Sequence, residues 1–136
     1  MIESVKKIMK NKVYDENSGA YMGRICDVAF SEDGELKGYF MESDSIVPLD
    51  VWICPGAVRK RGRGKMYVDS DTGEKEENII TFKKDILKKN FPKGRGKCVD
   101  LKLDEEIGRI EGFVYAESFF RRREEIKFSE KEKIKI

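Results

Sequence analysis

The side chains that could do chemistry in this chain are cations, carboxylates and thiols, because its 136 residues contain no histidine. That absence excludes Ser-His-Asp and Cys-His catalysis, His-ligated zinc and imidazole general-base chemistry. The three cysteines, Cys26, Cys54 and Cys98, form no CxxC pair. They are too few and too scattered for a thiolate zinc site or a disulfide framework, and they read as reduced, buried thiols. Asp15, Asp27, Asp50 and Asp100 resemble a set of catalytic acids. General acid–base work needs a pocket and a paired group, however, and these positions fall at turns and strand ends. There Asp side chains accept backbone N–H bonds. Asp69-Ser70-Asp71-Thr72-Gly73 lacks the third acidic ligand and the closing Glu of a calcium loop, and reads as a polar turn. No catalytic, cofactor-binding or metal-binding residue is expected, and the chain is read as a non-enzyme with no small-molecule substrate.

The cations are more sharply organised. Arg59, Lys60, Arg61, Arg63 and Lys65 crowd one segment, with Gly62 and Gly64 between them. A second Gly-Arg-Gly-Lys run, containing Arg95, follows Phe91-Pro92-Lys93. Neither is a phosphate-binding P-loop, since the glycine spacing and the following Ser or Thr are missing. Phe119-Phe120-Arg121-Arg122-Arg123 forms a third patch. Guanidinium groups beside rings suit single-stranded RNA, so Arg59, Lys60, Arg61, Arg63, Lys65, Lys93 and Arg95 are candidate nucleic-acid contacts. Against that, 28 basic residues are balanced by 26 acidic ones, and no global field attracts a polyanion. Two rings followed by three arginines equally suit a protein interface, with a partner or a second copy. Trp52 is assigned to the same class, although a lone Trp among apolar neighbours more often packs in a sheet.

The elements that must position these groups are strands. Charged residues make up 40% of the chain and apolar ones 39%, mostly in period-two runs broken by Gly and Asp. Strands are predicted at 12–15, 23–30, 36–41, 51–53, 65–68, 79–82, 124–128 and 133–136. The Asp33-Gly34 pair signals a hairpin. Pro48 places 46–49 at an edge or strand start, because proline cannot donate to a ladder. One or two helical turns are expected at 83–89. No run approaches the roughly 18 apolar residues of a membrane helix, and the first ten residues carry no secretory pattern. A cytoplasmic location is expected.

The pattern then restarts. Residues 12–30 align without gaps on 97–115, at an offset of 85 (97 − 12). Lys12 falls on Lys97, Asp15 on Asp100, and Gly23-Arg24-Ile25 on Gly108-Arg109-Ile110. Two copies of one β-motif is the economical reading. It makes Gly23 and Gly108 equivalent positions in superposable units.

The first copy resembles the PRC-barrel family. The resemblance is carried by Val13-Tyr14-Asp15, Gly23-Arg24-Ile25-Cys26-Asp27-Val28, the Asp33-Gly34 hairpin, residues 36–41, Val47-Pro48-Leu49-Asp50-Val51 and Met66-Tyr67-Val68. The second copy keeps Val99-Asp100 and Ile107-Gly108-Arg109-Ile110, and lacks the proline segment. The resemblance implies an all-β protein of two small PRC-type β-barrel units in tandem, at 1–69 and 79–136, joined by a polar linker at 70–78. It also implies a non-enzymatic adaptor docking on a protein assembly, such as cell-division or membrane-proximal machinery. The alternative is an RNA- or ribosome-associated maturation factor using the basic loops 59–65 and 93–97.

Overall fold

The computed structural model describes residues 2–89, 96–116, 123–128 and 134. Lys93, Arg95, Phe119, Phe120, Arg121 and Arg122, and the strand expected at 133–136 apart from Ile134, lie outside the described residues.

Alternation of apolar and polar residues builds the sheets. In β2 (Lys12–Asp15) Val13 is buried and Lys12 exposed; in β7 (Lys65–Val68) Met66 and Val68 are buried and Lys65 exposed. Two elements precede and separate them in ways the sequence pattern does not announce. β1 (Ile2–Ser4) runs into a single helical turn, α1 (Val5–Ile8), whose Val5 and Ile8 are both fully buried. β3 (Tyr21–Phe30) is the spine of the larger sheet. It pairs with β2 through its first half, with β4 (Leu36–Ser43) along most of its length, and with β8 (Ile80–Thr81) at its end. β5 (Asp50–Ile53) lies outside β4. On the other side β2 meets β7 in parallel, and β6 (Val58–Gly62) closes the order β5-β4-β3-β2-β7-β6. The second sheet is antiparallel, β1-β9-β10-β11, with β9 at Lys97–Asp104, β10 at Arg109–Ala116 and β11 at Arg123–Lys127.

The fold is therefore all-β, as expected, in the form of two sheets. Among the described residues neither sheet closes on itself as a barrel. Strand membership also crosses the expected boundaries: residues 2–4 pair with β9, and β8 pairs with β3. The segment 70–78 lacks regular structure but is tied back, with the Cys54 N–H donating to the Thr72 carbonyl at 2.8 Å. One core joins the sheets. Val13, Ile25, Val28, Met41 and Met66 from the first pack into the same cluster as Leu101, Leu103, Ile110 and Phe113 from the second, with Val5 and Ile8. Backbone bonds stitch the sheets together as well, Leu36 N–H to Gly108 O and Ile110 N–H to Gly34 O, both 2.8 Å.

The gapless repeat does not survive in the pairing. Lys12 sits opposite Arg24, whereas Lys97 sits opposite Ala116. Gly23 lies within a strand opposite Val13 and Gly108 lies in a turn, so the two glycines are not equivalent. Gly23 has φ +154° and a Cβ there would run into the Glu42 carbonyl oxygen; Gly108 has φ +70° and open space around it. What repeats is the turn itself. Gly19 N–H donates to the Asp15 carbonyl and Gly108 N–H to the Asp104 carbonyl, each at 2.9 Å, an offset of 89 (108 − 19). The Asp side chains accept the N–H two residues on, Asn17 at 3.2 Å and Glu106 at 3.0 Å. This is the Asx-type turn that Asp chemistry favours.

Candidate functional site

Strand alternation takes the basic cluster apart. Residues 58–68 form the β6–β7 hairpin, turning at Arg63-Gly64, so neighbouring cations leave on opposite faces. Arg61 lies on the inward side of the hairpin, opposite Met66, and is engaged by carboxylates. Its Nη1 donates to both Glu105 carboxylate oxygens at 2.5 Å and its Nη2 to Glu3 at 3.3 Å. Tyr39 donates its hydroxyl to the same Glu105 at 2.7 Å, and burial together with that carboxylate's charge pushes the phenol pKa up. Arg61 therefore joins β6 to β1 and to the β9–β10 turn. Arg59 is engaged with Asp69 at 2.9 Å, and that guanidinium is the main cause holding the Asp69 carboxyl below its ordinary range.

Lys60 and Lys65 take the outward face and lie over rings. The Lys60 ammonium is 5.8 Å from the Tyr67 centroid and that of Lys65 is 5.7 Å from the Tyr14 centroid. Tyr14 stacks against Tyr67 at 5.7 Å with planes 28° apart, and lies 5.6 Å from Tyr21. None of the three tyrosines was singled out by the sequence reading. The signal was present: Lys12-Val13-Tyr14 and Lys65-Met66-Tyr67 are the same Lys-apolar-Tyr tripeptide. Parallel pairing of β2 with β7 sets them side by side, Lys12 against Lys65 and Tyr14 against Tyr67.

The proposed protein contacts fare differently. Trp52 is buried, 7% exposed, with its indole against Gly38 and its ring 5.2 Å from Phe40. A Cβ at Gly38 would collide with the indole, so glycine is what admits it. Trp52 is thus a packing residue rather than an exposed anchor. Arg123 is exposed at the start of β11, opposite Ala116.

Among the described residues three exposed large apolar side chains fall together just before β5. Ile46, Val47 and Leu49 are 104%, 70% and 64% exposed. Their segment leads directly into edge strand β5, in keeping with the edge or strand-start position that Pro48 implies, and several of its polar groups are held. Ser43 N–H donates to Leu49 O and Leu49 N–H to Ser43 Oγ, both at 2.9 Å, and Ser45 Oγ donates to Val47 O at 2.7 Å. These bonds pin the ends of the loop while its apolar side chains are displayed outward, next to edge strand β5.

Asp15 ends β2 and Asp50 starts β5, as expected, whereas Asp27 and Asp100 lie inside β3 and β9 rather than at turns or strand ends; Asp15, Asp27 and Asp100 nonetheless accept backbone N–H bonds. Asp27 accepts Val28 N–H at 2.9 Å and Lys83 N–H at 2.8 Å, fixing a helical turn at Phe82–Ile86 to β3. Desolvation by burial raises its pKa, against the opposing effect of those N–H donors. Asp100 accepts Lys6 N–H at 3.1 Å and Leu101 N–H at 2.8 Å, and takes the Ser4 hydroxyl as well. An open cleft of about 600 Å³ exposes Cys26, Asp27, Glu42, Asp50 and Asp85 together. The Cys26 thiol donates weakly to Asp50 at 3.9 Å, and its pKa is pushed up to about 11 by burial and then by the charges of Asp50, Asp27 and Glu42. It is thus a protonated, poor nucleophile at neutral pH. All three cysteines are free, and burial raises Cys98 to about 12. Among the described residues no cluster of three Cys, Asp or Glu side chains could hold a metal ion, and no helix is long and apolar enough to cross a membrane. No protein-family model matches the chain, and comparison with curated proteins finds no relative.

Proposed function

We propose that this protein is a non-enzymatic adaptor that docks on a protein assembly through the 46–49 segment and the adjoining edge strand β5. The observation that carries this reading is the outward display of Ile46, Val47 and Leu49 on a hydrogen-bonded loop. Three large apolar side chains held in water beside an unpaired strand edge suit strand addition, in which main-chain bonds give affinity and side chains give register. Arg123 stands as a further candidate contact through its exposure in β11.

The PRC-barrel resemblance supports the same reading. Its segments fall in β2, β3, β4, β5 and β7 in family order, and two of the exposed residues, Val47 and Leu49, belong to the Val47-Pro48-Leu49-Asp50-Val51 element, with Ile46 just before it. We read the larger sheet as the PRC-type unit and the smaller sheet as its divergent partner, in a cytoplasmic scaffold for cell-division or membrane-proximal machinery.

The test compares wild type with Ile46→Asp plus Leu49→Asp, by size-exclusion chromatography with light scattering and by capture from native lysate with and without nuclease. Both positions are exposed, so the melting temperature should stay unchanged. Wild type should retain a nuclease-resistant protein partner or a self-association that the double variant loses, by roughly thirtyfold or more in affinity. Identical profiles for the two proteins remove this segment as the docking site.

A further inference from the structure

We propose that the outward face of β2, β3, β7 and β6 binds single-stranded nucleic acid, with bases stacked on Tyr14, Tyr21 and Tyr67 and phosphates held by Lys12, Arg24, Lys60 and Lys65. The site is separate from the 46–49 segment and does not depend on the protein-docking reading.

Strand register assembles the face in two adjacent rows. One row runs Arg24, Lys12, Lys65, Gly62 across β3, β2, β7 and β6. The next runs Tyr21, Tyr14, Tyr67, Lys60 across the same strands. No position in either row is acidic, although the chain as a whole carries almost as many acids as bases. Acids line the borders: Glu42 lies opposite Arg24 on β4, exposed Glu16 follows β2 two residues past Tyr14, and Asp69 is taken by Arg59. The near-zero net charge thus hides a segregated cationic surface, and a local field of this kind suffices for phosphate.

The rings supply what cations alone cannot. Tyr21 is 42% exposed, while Tyr14 and Tyr67 are partly exposed, at centroid spacings of 5.6 and 5.7 Å. A sheet face bearing a row of rings is a stacking platform for unpaired bases, tolerant of sequence because every base has a π-face. In a duplex the bases already stack on one another, so the platform selects single strands. Lys60 and Lys65 now occupy ring faces as cation–π partners. Their flexible stems can swing the ammonium aside onto a phosphate as a base takes its place.

The test is fluorescence anisotropy of the purified full chain with labelled oligouridine and oligothymidine of about twelve nucleotides, and with a duplex of the same length. Single strands should bind more tightly than the duplex; preference for the RNA arm would indicate 2′-hydroxyl contacts. Tyr14→Ala and Tyr67→Ala should each weaken binding roughly tenfold, while Tyr14→Phe and Tyr67→Phe keep it. Lys60→Gln plus Lys65→Gln, both exposed and outside the core, should lower the slope of log affinity against log salt by about 1.4, roughly 0.7 per phosphate. Ile46→Asp plus Leu49→Asp should leave binding unchanged. The proposal is overturned if neither single strand binds at low salt, if the duplex binds as well, or if the alanine variants bind like wild type. In the last case the tyrosines only brace the sheet.

Discussion

The β2–β3 and β9–β10 hairpins share one turn and use it for opposite purposes. In each, an Asp caps the N–H two residues on, and a left-handed Gly donates back to the Asp carbonyl at 2.9 Å. Around the first turn the outward rows of both strands carry Lys12, Tyr14, Tyr21 and Arg24. After the second, Glu105 stays at the junction of the sheets, bound by Arg61 and Tyr39. Identical local chemistry thus presents a surface in one place and clamps two sheets in the other. What differs is the partner each turn meets, which local sequence does not encode.

The largest effect should separate Gly23 from Gly108, the two glycines that sequence alignment equates. Gly23→Ala drives a methyl into the Glu42 backbone carbonyl, which has no rotamer to escape through. A cost of about 3 kcal/mol or more is expected from overpacking and strain. Gly108→Ala meets nothing and bears only the left-handed conformation, about 1 kcal/mol. Urea unfolding of the two variants measures both. Equal losses would restore the gapless repeat that the strand pairing contradicts.

The next effect concerns the glutamate after each turn aspartate. Glu16 and Glu105 are equivalent by the turn alignment, since both follow the capping Asp. Glu16 is exposed, and Glu16→Ala should change stability by less than about 0.5 kcal/mol. Glu105→Ala strips Tyr39 of its acceptor and leaves Arg61, whose side chain is only 25% exposed, with Glu3 alone at 3.3 Å. Removing one partner of a largely buried pair leaves the other desolvated, so about 2–3 kcal/mol should be lost. Thermal melts of the two variants decide it. If Glu105→Ala melts like Glu16→Ala, the clamp is a surface ion pair and the two hairpins are alike after all.

How much of this the sequence disclosed follows the same division. β2, β3, β4 and β7 are legible because one face of each is buried against a single core, which enforces period two. β1 and α1 are not, since Val5 and Ile8 become core positions only through β9, about a hundred residues away. β6 is hidden because Arg61, at an inward position, is a cation satisfied by Glu105 and Glu3 from other elements. The cationic segment was visible as composition, but its division into inward and outward groups required the hairpin register. The tyrosine row required the parallel β2–β7 pairing, which joins Lys12 to Lys65 across 53 residues (65 − 12). Phe119, Phe120, Arg121 and Arg122 lie outside the described residues, so their expected interface is neither placed nor displaced.

The smallest effect is a pH dependence that belongs to the larger sheet. Asp27 holds the helical turn at Phe82–Ile86 through Lys83 N–H, and burial raises its pKa above the ordinary 3.8. A carboxyl with a raised pKa binds its proton more tightly in the folded chain than in the unfolded one. Stability therefore falls as pH rises from the ordinary aspartate value through the raised one, and the loss stays constant above it. Asp27→Asn keeps an acceptor oxygen for Val28 and Lys83 while abolishing the charge, so it should remove that fall and leave the protein at least as stable near neutrality. Asp27→Ala should destabilise at every pH, because both N–H groups lose their acceptor. Denaturant midpoints of the three proteins across the acid range measure the difference. A wild-type curve parallel to that of Asp27→Asn would mean that the N–H donors offset the desolvation in full, leaving Asp27 as an ordinary cap.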